Sequence, residues 1–178
     1  MARRAVFLDR DGTLLQIIHR PSHPKKLTAA FSMEEYRLEE DIHHPLADLA
    51  DAGFMRILIT NQPDVAHGYV SEGVWWEIFR KFLAEAPLDD WYMCRHTTEN
   101  HCPCKKPSSV MLRVAADKHG IDLSQSFMVG DSEDDMLAGQ KAGCKTILLV
   151  REYNMSADAD FRVRTIREAS QIILGGSK

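Results

Sequence analysis

At residues 6–13 the chain reads Val-Phe-Leu-Asp-Arg-Asp-Gly-Thr, and this stretch guides the interpretation of the remaining sequence. A short apolar run followed by Asp-x-Asp-Gly-Thr predicts a buried strand with two carboxylates, Asp9 and Asp11, at its tip. Open α/β sheets place their chemistry at that edge. Two acids this close require a cation between them or a retained proton, and both arrangements suit phosphate chemistry. One carboxylate can attack phosphorus beside Mg²⁺ while the other transfers protons.

The overall composition is that of an ordinary globular protein. Its 178 residues predict a single domain over residues 1–178 with a substantial core. The net charge is −4 with acids and bases mixed, so we expect no nucleic-acid partner. No apolar run approaches the roughly 18 residues of a membrane span, and Asp9 interrupts the first run too early for a signal peptide. We therefore expect a soluble, cytoplasmic protein without a membrane partner, and by default a monomer.

Predicted strands and helices alternate along the chain. The predicted strands are Ala5–Leu8, Met55–Ile59, Tyr92–Met93, Phe127–Val129, Thr146–Val150 and a short one after Phe161. The predicted helices are His43–Ala52, a helix capped by Ser71, one from Pro107 to Gly120, Glu133–Ala142, and one ending near Leu174. This alternation predicts an α/β fold, a Rossmann-like three-layer sandwich around a central parallel sheet. The irregular segment from Leu14 to Asp41 predicts a long loop or minimal cap beside the site.

Each later strand end carries groups that a phosphate site needs. The second strand ends in Thr60-Asn61-Gln62, whose hydroxyl and amides can hydrogen-bond phosphoryl oxygens without adding charge. Lys105 and Lys106 precede a predicted helix, so two cations and a helix N-terminus favour a dianion there. The fourth strand ends in an acidic run in which Asp131 and Asp135, four residues apart, share a helix face. That acidic run repels itself unless it binds a metal.

This order of motifs resembles the haloacid dehalogenase superfamily of aspartyl-phosphate phosphohydrolases over residues 5–150. The resemblance implies that Asp9 is the nucleophile, Asp11 the general acid/base and Lys106 the neutralising cation. It implies that Thr60 and Asn61 hold the phosphoryl group. It also implies a catalytic Mg²⁺ bound by Asp9, Asp131 and the Asp11 backbone carbonyl, with Asp135 fixing Lys106 or a metal-bound water. In-line phosphoryl transfer needs little beyond positioning and charge neutralisation, and these residue types supply both.

Three of the four cysteines cluster around a histidine. Cys94, His96, Cys102 and Cys104 give the pattern Cys-x-His-x5-Cys-x-Cys, a set of ligands suited to tetrahedral Zn²⁺. A complete set leaves no coordination position for a substrate, so we expect a structural zinc that pins the loop before Lys106. His101 is a rival ligand, and unmetallated loop thiols are the alternative. Cys144 is predicted to be a buried thiol.

The zinc loop beside Thr60-Asn61-Gln62 resembles the branch that contains heptose 1,7-bisphosphate phosphatases and histidinol-phosphate phosphatases. The resemblance implies a small phosphorylated metabolite as substrate, a sugar of the heptose 1,7-bisphosphate type, with histidinol phosphate or another small monophosphate as the alternative. Lys105, His67 and Ser132 stand where the heptose type usually has two arginines and a lysine. Arg20, Lys25, Lys26 and Arg95 could compensate for this lost charge if the long loop folds over the site. The alternative from another class is a catalytically silent phosphosugar-binding scaffold.

Overall fold

A parallel six-stranded sheet forms the centre of the protein, as the sequence predicted. The computed structural model describes residues 2–175, so residues 1 and 176–178 of the predicted domain lie outside the described part. The strands are β1 (Arg4–Leu8), β2 (Ile18–His19), β3 (Leu27–Thr28), β4 (Phe54–Asn61), β5 (Asp90–Cys94), β6 (Phe127–Gly130), β7 (Lys145–Leu149) and β8 (Phe161–Val163). The sheet order is β5-β4-β1-β6-β7-β8, and every neighbouring pair is parallel.

Helices cover both faces of this sheet and confirm the three-layer α/β class. They are α1 (His43–Asp51), α2 (Glu72–Glu85), α3 (Val110–His119), α4 (Glu133–Ala142) and α5 (Ile166–Gly175). The apolar side chains of α1, α2 and α5 pack with Val6 and Leu8 of β1. Those of α3 and α4 pack with Ala5 and Phe7 on the opposite face. Alternate residues of a strand point to opposite faces, so one central strand serves both layers of the core.

The observed boundaries agree with the predicted ones to within about three residues. Helix α4 has the predicted bounds because both of its ends carry strong signals. Ser132 accepts a hydrogen bond from the Asp135 backbone, and Gly143 takes the left-handed conformation with φ of +92°. Helix α3 begins later than predicted, at Val110, because Pro107 and Ser108 belong to the turn that carries Lys106.

The segment from Leu14 to Asp41 forms a small cap. Its strands β2 and β3 pair antiparallel, and a single 3₁₀ turn follows at Met33–Glu35. Ile17, Lys25 and Leu27 from this β2–β3 hairpin line a cavity at the carboxyl edge of the sheet. The predicted loop or minimal cap therefore lies beside the site, as expected. Within residues 2–175, no helix has the length and apolarity needed to cross a membrane.

The strand order reverses between β1 and β6, which makes this the switch point of the sheet. From β1, the strand order continues through β4 to β5 on one side. On the other side it continues through β6 and β7 to β8. Connections from the two neighbouring strands therefore diverge to opposite sides and leave a crevice at their carboxyl ends. Asp9 follows β1 and Asp131 follows β6, so the fold places both residues at this crevice.

Candidate active site

Lys106 lies at the centre of a buried charge cluster in this crevice. Its ammonium donates hydrogen bonds to Asp9 Oδ1 at 2.6 Å, Asp135 Oδ1 at 2.5 Å and the Ile59 carbonyl at 2.8 Å. These three acceptors use all three ammonium protons. Burial lowers the pKa of Lys106, but the charges of Asp135 and Asp9 outweigh burial and hold that pKa above its ordinary value. The charged lysine therefore ties together the ends of β1 and β4 and the first turn of α4.

Three carboxylates share the crevice with this one ammonium. Asp9, Asp131 and Asp135 are buried, and their ligand atoms all lie within 4.8 Å of one another. Burial raises the pKa of Asp9 to about 7, although the charge of Lys106 opposes the shift. Burial, followed by the charge of Asp9, raises the pKa of Asp131 well above its usual range. A divalent cation with oxygen ligands neutralises such an excess of negative charge, so these residues could hold one.

Two glycines make room for the carboxylates. A Cβ atom on Gly12, whose φ is +85°, would lie 2.1 Å from Oδ2 of Asp131. A Cβ atom on Gly130 would lie 2.4 Å from Cγ of Asp135. Any other residue at either position would push a carboxylate out of place, so both glycines are part of the site's geometry.

Asp11 lines the same cavity as Asp9 and has its own supports. Its carboxylate forms an ion pair with Arg10 at 3.0 Å and accepts a hydrogen bond from Gln62 Nε2 at 2.6 Å. Arg10 is only 1% exposed and also donates to Gln62 Oε1 at 2.5 Å. The sequence analysis missed Arg10, because a charged residue between two acids gives no sign that it turns inward.

The structure does not bring Thr60 and Gln62 to the cavity as phosphate ligands. Gln62 Nε2 donates to Thr60 Oγ1 at 2.9 Å as well as to Asp11, so both amide protons are used. Its oxygen accepts hydrogen bonds from Arg10 and from Trp75 Nε1 at 3.2 Å. Both side chains are 1% exposed. The predicted phosphate contact of Gln62 is therefore corrected to a support that orients Asp11.

Asn61 and Lys105 take different places around Lys106. Asn61 lines the cavity and exchanges two hydrogen bonds with the Lys106 backbone, at 3.0 and 3.1 Å. Lys105 instead donates to the His96 carbonyl at 3.4 Å and lines a neighbouring cavity with Cys102. The structure thus brings Asn61 to the site and directs Lys105 toward the cysteine loop, away from its predicted phosphate contact.

The active-site cavity has a volume of about 300 Å³. It is lined by Asp9, Asp11, Asn61, Lys106, Asp131, Ser132, Asp134 and Tyr153 from the sheet edge, and by the three hairpin residues named above. This volume is at the lower end of the range for small-molecule sites, about 300–1,000 Å³. The cavity therefore suits a small metabolite whose phosphate reaches Asp9.

Residues after β7 also support the site, and the sequence analysis missed them. The Tyr153 hydroxyl donates a hydrogen bond to Asp131 Oδ2. Asn154 donates to the Asp131 carbonyl at 2.7 Å, and Arg151 donates to the Gly12 carbonyl at 3.1 Å. A signal was present, because these polar residues follow the carboxyl end of a parallel strand, where sites of this fold form.

The four predicted zinc ligands also come together. Sγ of Cys102 lies 3.4 Å from Sγ of Cys94 and 3.5 Å from Sγ of Cys104. Nδ1 of His96 lies 3.6 Å from Cys94 Sγ and 3.5 Å from Cys104 Sγ. A tetrahedron with metal–sulfur bonds of about 2.3 Å has edges of about 3.8 Å, so the cluster has the size of a zinc site. All four cysteines are free, which excludes a disulfide in this cluster.

This cysteine–histidine cluster, Cys94, His96, Cys102 and Cys104, is adjacent to the carboxylate site. Cys94 is the last residue of β5, and the Gln62 backbone N–H donates to its carbonyl at 2.6 Å. His101 is exposed and lies outside the group of four, so His96 is the imidazole that the structure places with the thiols. Cys144 is buried elsewhere, as predicted.

Fold and site together define a hydrolase of the haloacid dehalogenase-like class, and a family model described as "HAD-hyrolase-like" matches residues 103–168. Two curated relatives are 36% identical to this chain, and both are D-glycero-beta-D-manno-heptose-1,7-bisphosphate 7-phosphatases. The Haemophilus ducreyi protein aligns over 165 residues and 85% of each chain; the Helicobacter pylori protein aligns over 154 residues and 83% of each. The chain belongs to this family of phosphatases.

A solved structure supports the same fold. The D,D-heptose 1.7-bisphosphate phosphatase from B. bronchiseptica, complexed with magnesium and phosphate, has a TM-score of 0.81 to this chain. The match covers 98% of this chain and 99% of that chain at 24% identity. At this identity the likeness shows the fold alone. The predicted fold is therefore confirmed, and the curated relatives confirm the predicted family and phosphatase class.

Proposed function

We propose that this phosphatase is a Mg²⁺-dependent enzyme that hydrolyses a small phosphorylated sugar through an aspartyl-phosphate intermediate. The observation that carries the proposal is the bond between Lys106 and Asp9 at the switch point of the sheet, beneath a cavity of about 300 Å³. Lys106 holds the Asp9 carboxylate in place and offsets its charge, which leaves its second oxygen for attack on phosphorus.

The reaction proceeds in two displacements at phosphorus. Asp9 attacks the phosphoryl group, a P–O(Asp9) bond forms, and the bond from phosphorus to the sugar oxygen breaks. Asp11 gives its proton to the departing sugar oxygen. Asp11 then removes a proton from water, which attacks phosphorus and releases inorganic phosphate and the Asp9 carboxylate. Arg10 and Gln62 hold Asp11 in the orientation that both proton transfers require.

The charges of the site fit Mg²⁺. Asp9 and Asp131, together with the Asp11 backbone carbonyl, would hold the ion, while Asp135 is occupied by Lys106 and Ser132. Bound Mg²⁺ supplies a Lewis acid that neutralises phosphoryl oxygens as charge develops on them. The oxygen ligands and the surplus negative charge both favour a hard cation over a soft one. The magnesium named in the B. bronchiseptica structure supports this choice.

The cysteine–histidine cluster fits a structural Zn²⁺. Three thiols and one imidazole at tetrahedral separations match a closed site with no position left for a substrate. The bound ion would fix the loop that leads directly from Cys104 into Lys106. Zinc would therefore act on catalysis through the position of the lysine.

The substrate we propose is a heptose 1,7-bisphosphate. The names of the curated relatives support this choice, and so does a cavity of small-metabolite size. The test is a comparison of kcat/KM, with Mg²⁺ present, across a heptose bisphosphate, sugar monophosphates and histidinol phosphate, because specificity is a ratio of these values. We expect the bisphosphate to be preferred by more than about tenfold, equivalent to roughly 1.4 kcal/mol. A smaller preference removes the heptose assignment, and the absence of turnover of every phosphomonoester removes the proposed reaction.

A further inference from the structure

A second compartment, of about 130 Å³, adjoins the active-site cavity. It lies between the β2–β3 hairpin and the loop that follows β4, and it is lined by Lys25 from the hairpin and Asp64 from the loop. Asp11 and Asn61 line both the compartment and the main cavity. A substrate whose phosphate lies at Asp9 can therefore extend into this compartment.

Asp64 is a buried carboxylate without a hydrogen-bond donor. The side chain is 9% exposed, and within residues 2–175 no group donates a hydrogen bond to its carboxylate. Burial raises its pKa, with the charge of Asp11 adding to the shift. Its oxygens are not enclosed by protein atoms, and the side chain lines the compartment. A donor in the compartment can therefore reach Asp64.

Lys25, an exposed residue, supplies the cation on the hairpin side of the compartment. Among the described residues, none forms an ion pair within 4.0 Å of its ammonium, whereas Arg20 pairs with Glu35 and Arg95 pairs with Glu72. Its charge nevertheless lowers the pKa of Asp64. Lys25 and Asp64 thus line the same compartment and form no ion pair with each other within 4.0 Å.

The hairpin that presents Lys25 is held in place by an aromatic cluster. The His23 ring packs edge-on against Tyr69 at 4.5 Å, and Phe31 stacks with Tyr69 at 6.0 Å. The Arg20 guanidinium lies 4.5 Å above the Phe31 ring. The Lys25 backbone N–H also donates to His23 Nδ1 at 3.2 Å. These contacts join the hairpin to the loop after β4, so the two sides of the compartment form a built site.

The charges and hydrogen-bonding groups of Lys25 and Asp64 determine which ligand fits the compartment. A second phosphate only accepts hydrogen bonds, and Asp64 and Asp11 would repel it. An ammonium group only donates, and Lys25 would repel it. A hydroxyl accepts from Lys25 and donates to Asp64 at the same time. We infer that Lys25 and Asp64 form a subsite that binds one hydroxyl group of the substrate's carbon chain, next to the phosphate that reacts at Asp9.

This inference rests on the proposed function, and a matched pair of probes tests it. Sorbitol 6-phosphate and hexyl phosphate have the same chain length and one phosphate, but only the first carries hydroxyls. In Lys25→Met and in Asp64→Asn, kcat/KM for sorbitol 6-phosphate should fall about tenfold, while hexyl phosphate stays within about twofold of wild type. Lys26→Met is the control, because this exposed neighbour lines neither cavity. The double variant should lose less than the product of the two single losses, since both groups bind one hydroxyl.

Several outcomes overturn the subsite. One is an equal loss of kcat/KM for both probes, and another is no loss for sorbitol 6-phosphate. A third is a larger loss of kcat/KM in Lys25→Met for a sugar bisphosphate, which would assign Lys25 to a phosphate. If the wild-type enzyme hydrolyses neither probe, calorimetry still decides the subsite, while the panel of phosphomonoesters described above tests the proposed function separately. Asp9→Asn should then bind sorbitol 6-phosphate about tenfold more tightly than Asp9→Asn with Lys25→Met does. Equal affinities contradict it, and unfolding temperatures show whether each variant is folded.

Discussion

The cysteine–histidine cluster and the carboxylate site are neighbours that are assembled in different ways. The cluster draws its ligands from one short segment, residues 94–104. The carboxylate site gathers Asp9, Lys106 and Asp131 from loops that follow different strands of the sheet. Local spacing is sufficient for the first site, whereas the second exists only when β1, β5 and β6 lie in the observed order. We therefore expect substitutions in the two sites to have different effects on activity and stability.

Charge separates the two sites further. In the carboxylate site, one lysine faces three buried acids, and burial raises the pKa of Asp9 and of Asp131. Lys106 is bound to two of these acids, so its removal would leave both without a cation. In the cluster, Cys94, Cys102 and Cys104 offer soft thiol ligands that a bound metal would hold in place. We therefore expect the first site to respond to the loss of charge and the second to the loss of metal.

The largest effect on activity is expected for Asp9→Asn. An amide is a poor nucleophile and a poor Mg²⁺ ligand, so kcat for an aryl phosphate should fall by at least about 10³-fold. Circular dichroism should show an unchanged fold. Asp117→Asn, an exposed acid on α3, is the control and should keep wild-type kcat. More than a tenth of wild-type turnover in Asp9→Asn would contradict the covalent mechanism.

Lys106→Met tests the charge of the carboxylate site. Without Mg²⁺, the free energy of unfolding should fall by about 3–5 kcal/mol, because Asp9 and Asp135 lose their buried cation. Chemical denaturation with and without Mg²⁺ measures this loss. Adding Asp135→Asn should recover part of the stability and none of the activity. A double variant that is no more stable than the single one would show that charge is not the cause.

Cys102→Ser tests whether the cysteine–histidine cluster binds zinc. The zinc content should fall from about one per chain, because structural sites bind zinc with about 10–16 kcal/mol of apparent free energy only when their thiolates are present. Activity should fall about tenfold, as expected when a support of the catalytic groups is lost. Cys144→Ser is the matched control, since this buried thiol lies outside the cluster. Metal analysis that finds equal zinc in both variants, or none in wild type, would reject the zinc site.

The smallest effect is expected for Tyr153→Phe. Loss of the hydroxyl that binds Asp131 should raise the Mg²⁺ concentration needed for half-maximal activity by about tenfold, while kcat at saturating Mg²⁺ stays near wild type. Tenfold is the lower end of the effect expected when a residue that orients a metal ligand is changed. A Mg²⁺ titration of activity measures the shift. Tyr92→Phe, on β5, controls for the loss of a hydroxyl elsewhere. An unchanged titration would mean that Tyr153 does not orient Asp131.

Local patterns were sufficient to predict much of the molecule. Helix α4 was predicted with its observed bounds because Ser132 and Gly143 mark its two ends. The grouping of Cys94, His96, Cys102 and Cys104 was predicted because their spacing needs only a short loop to close. Asp9 and Lys106 were predicted to share a site because parallel strands bring their carboxyl ends to one edge. Each of these signals resides in residue type and separation along the chain.

Packing between distant segments decided the rest. Gln62 and Lys105 are polar residues beside the site, yet Gln62 turns beneath Asp11 and Lys105 turns toward His96. Residue type states which hydrogen bonds such a side chain can form, and only its neighbours in space determine which bonds it does form. For the same reason the sequence did not reveal that Lys25 of the hairpin faces Asp64. Their shared compartment depends on how the hairpin packs against the loop that follows β4, which no spacing along the chain encodes.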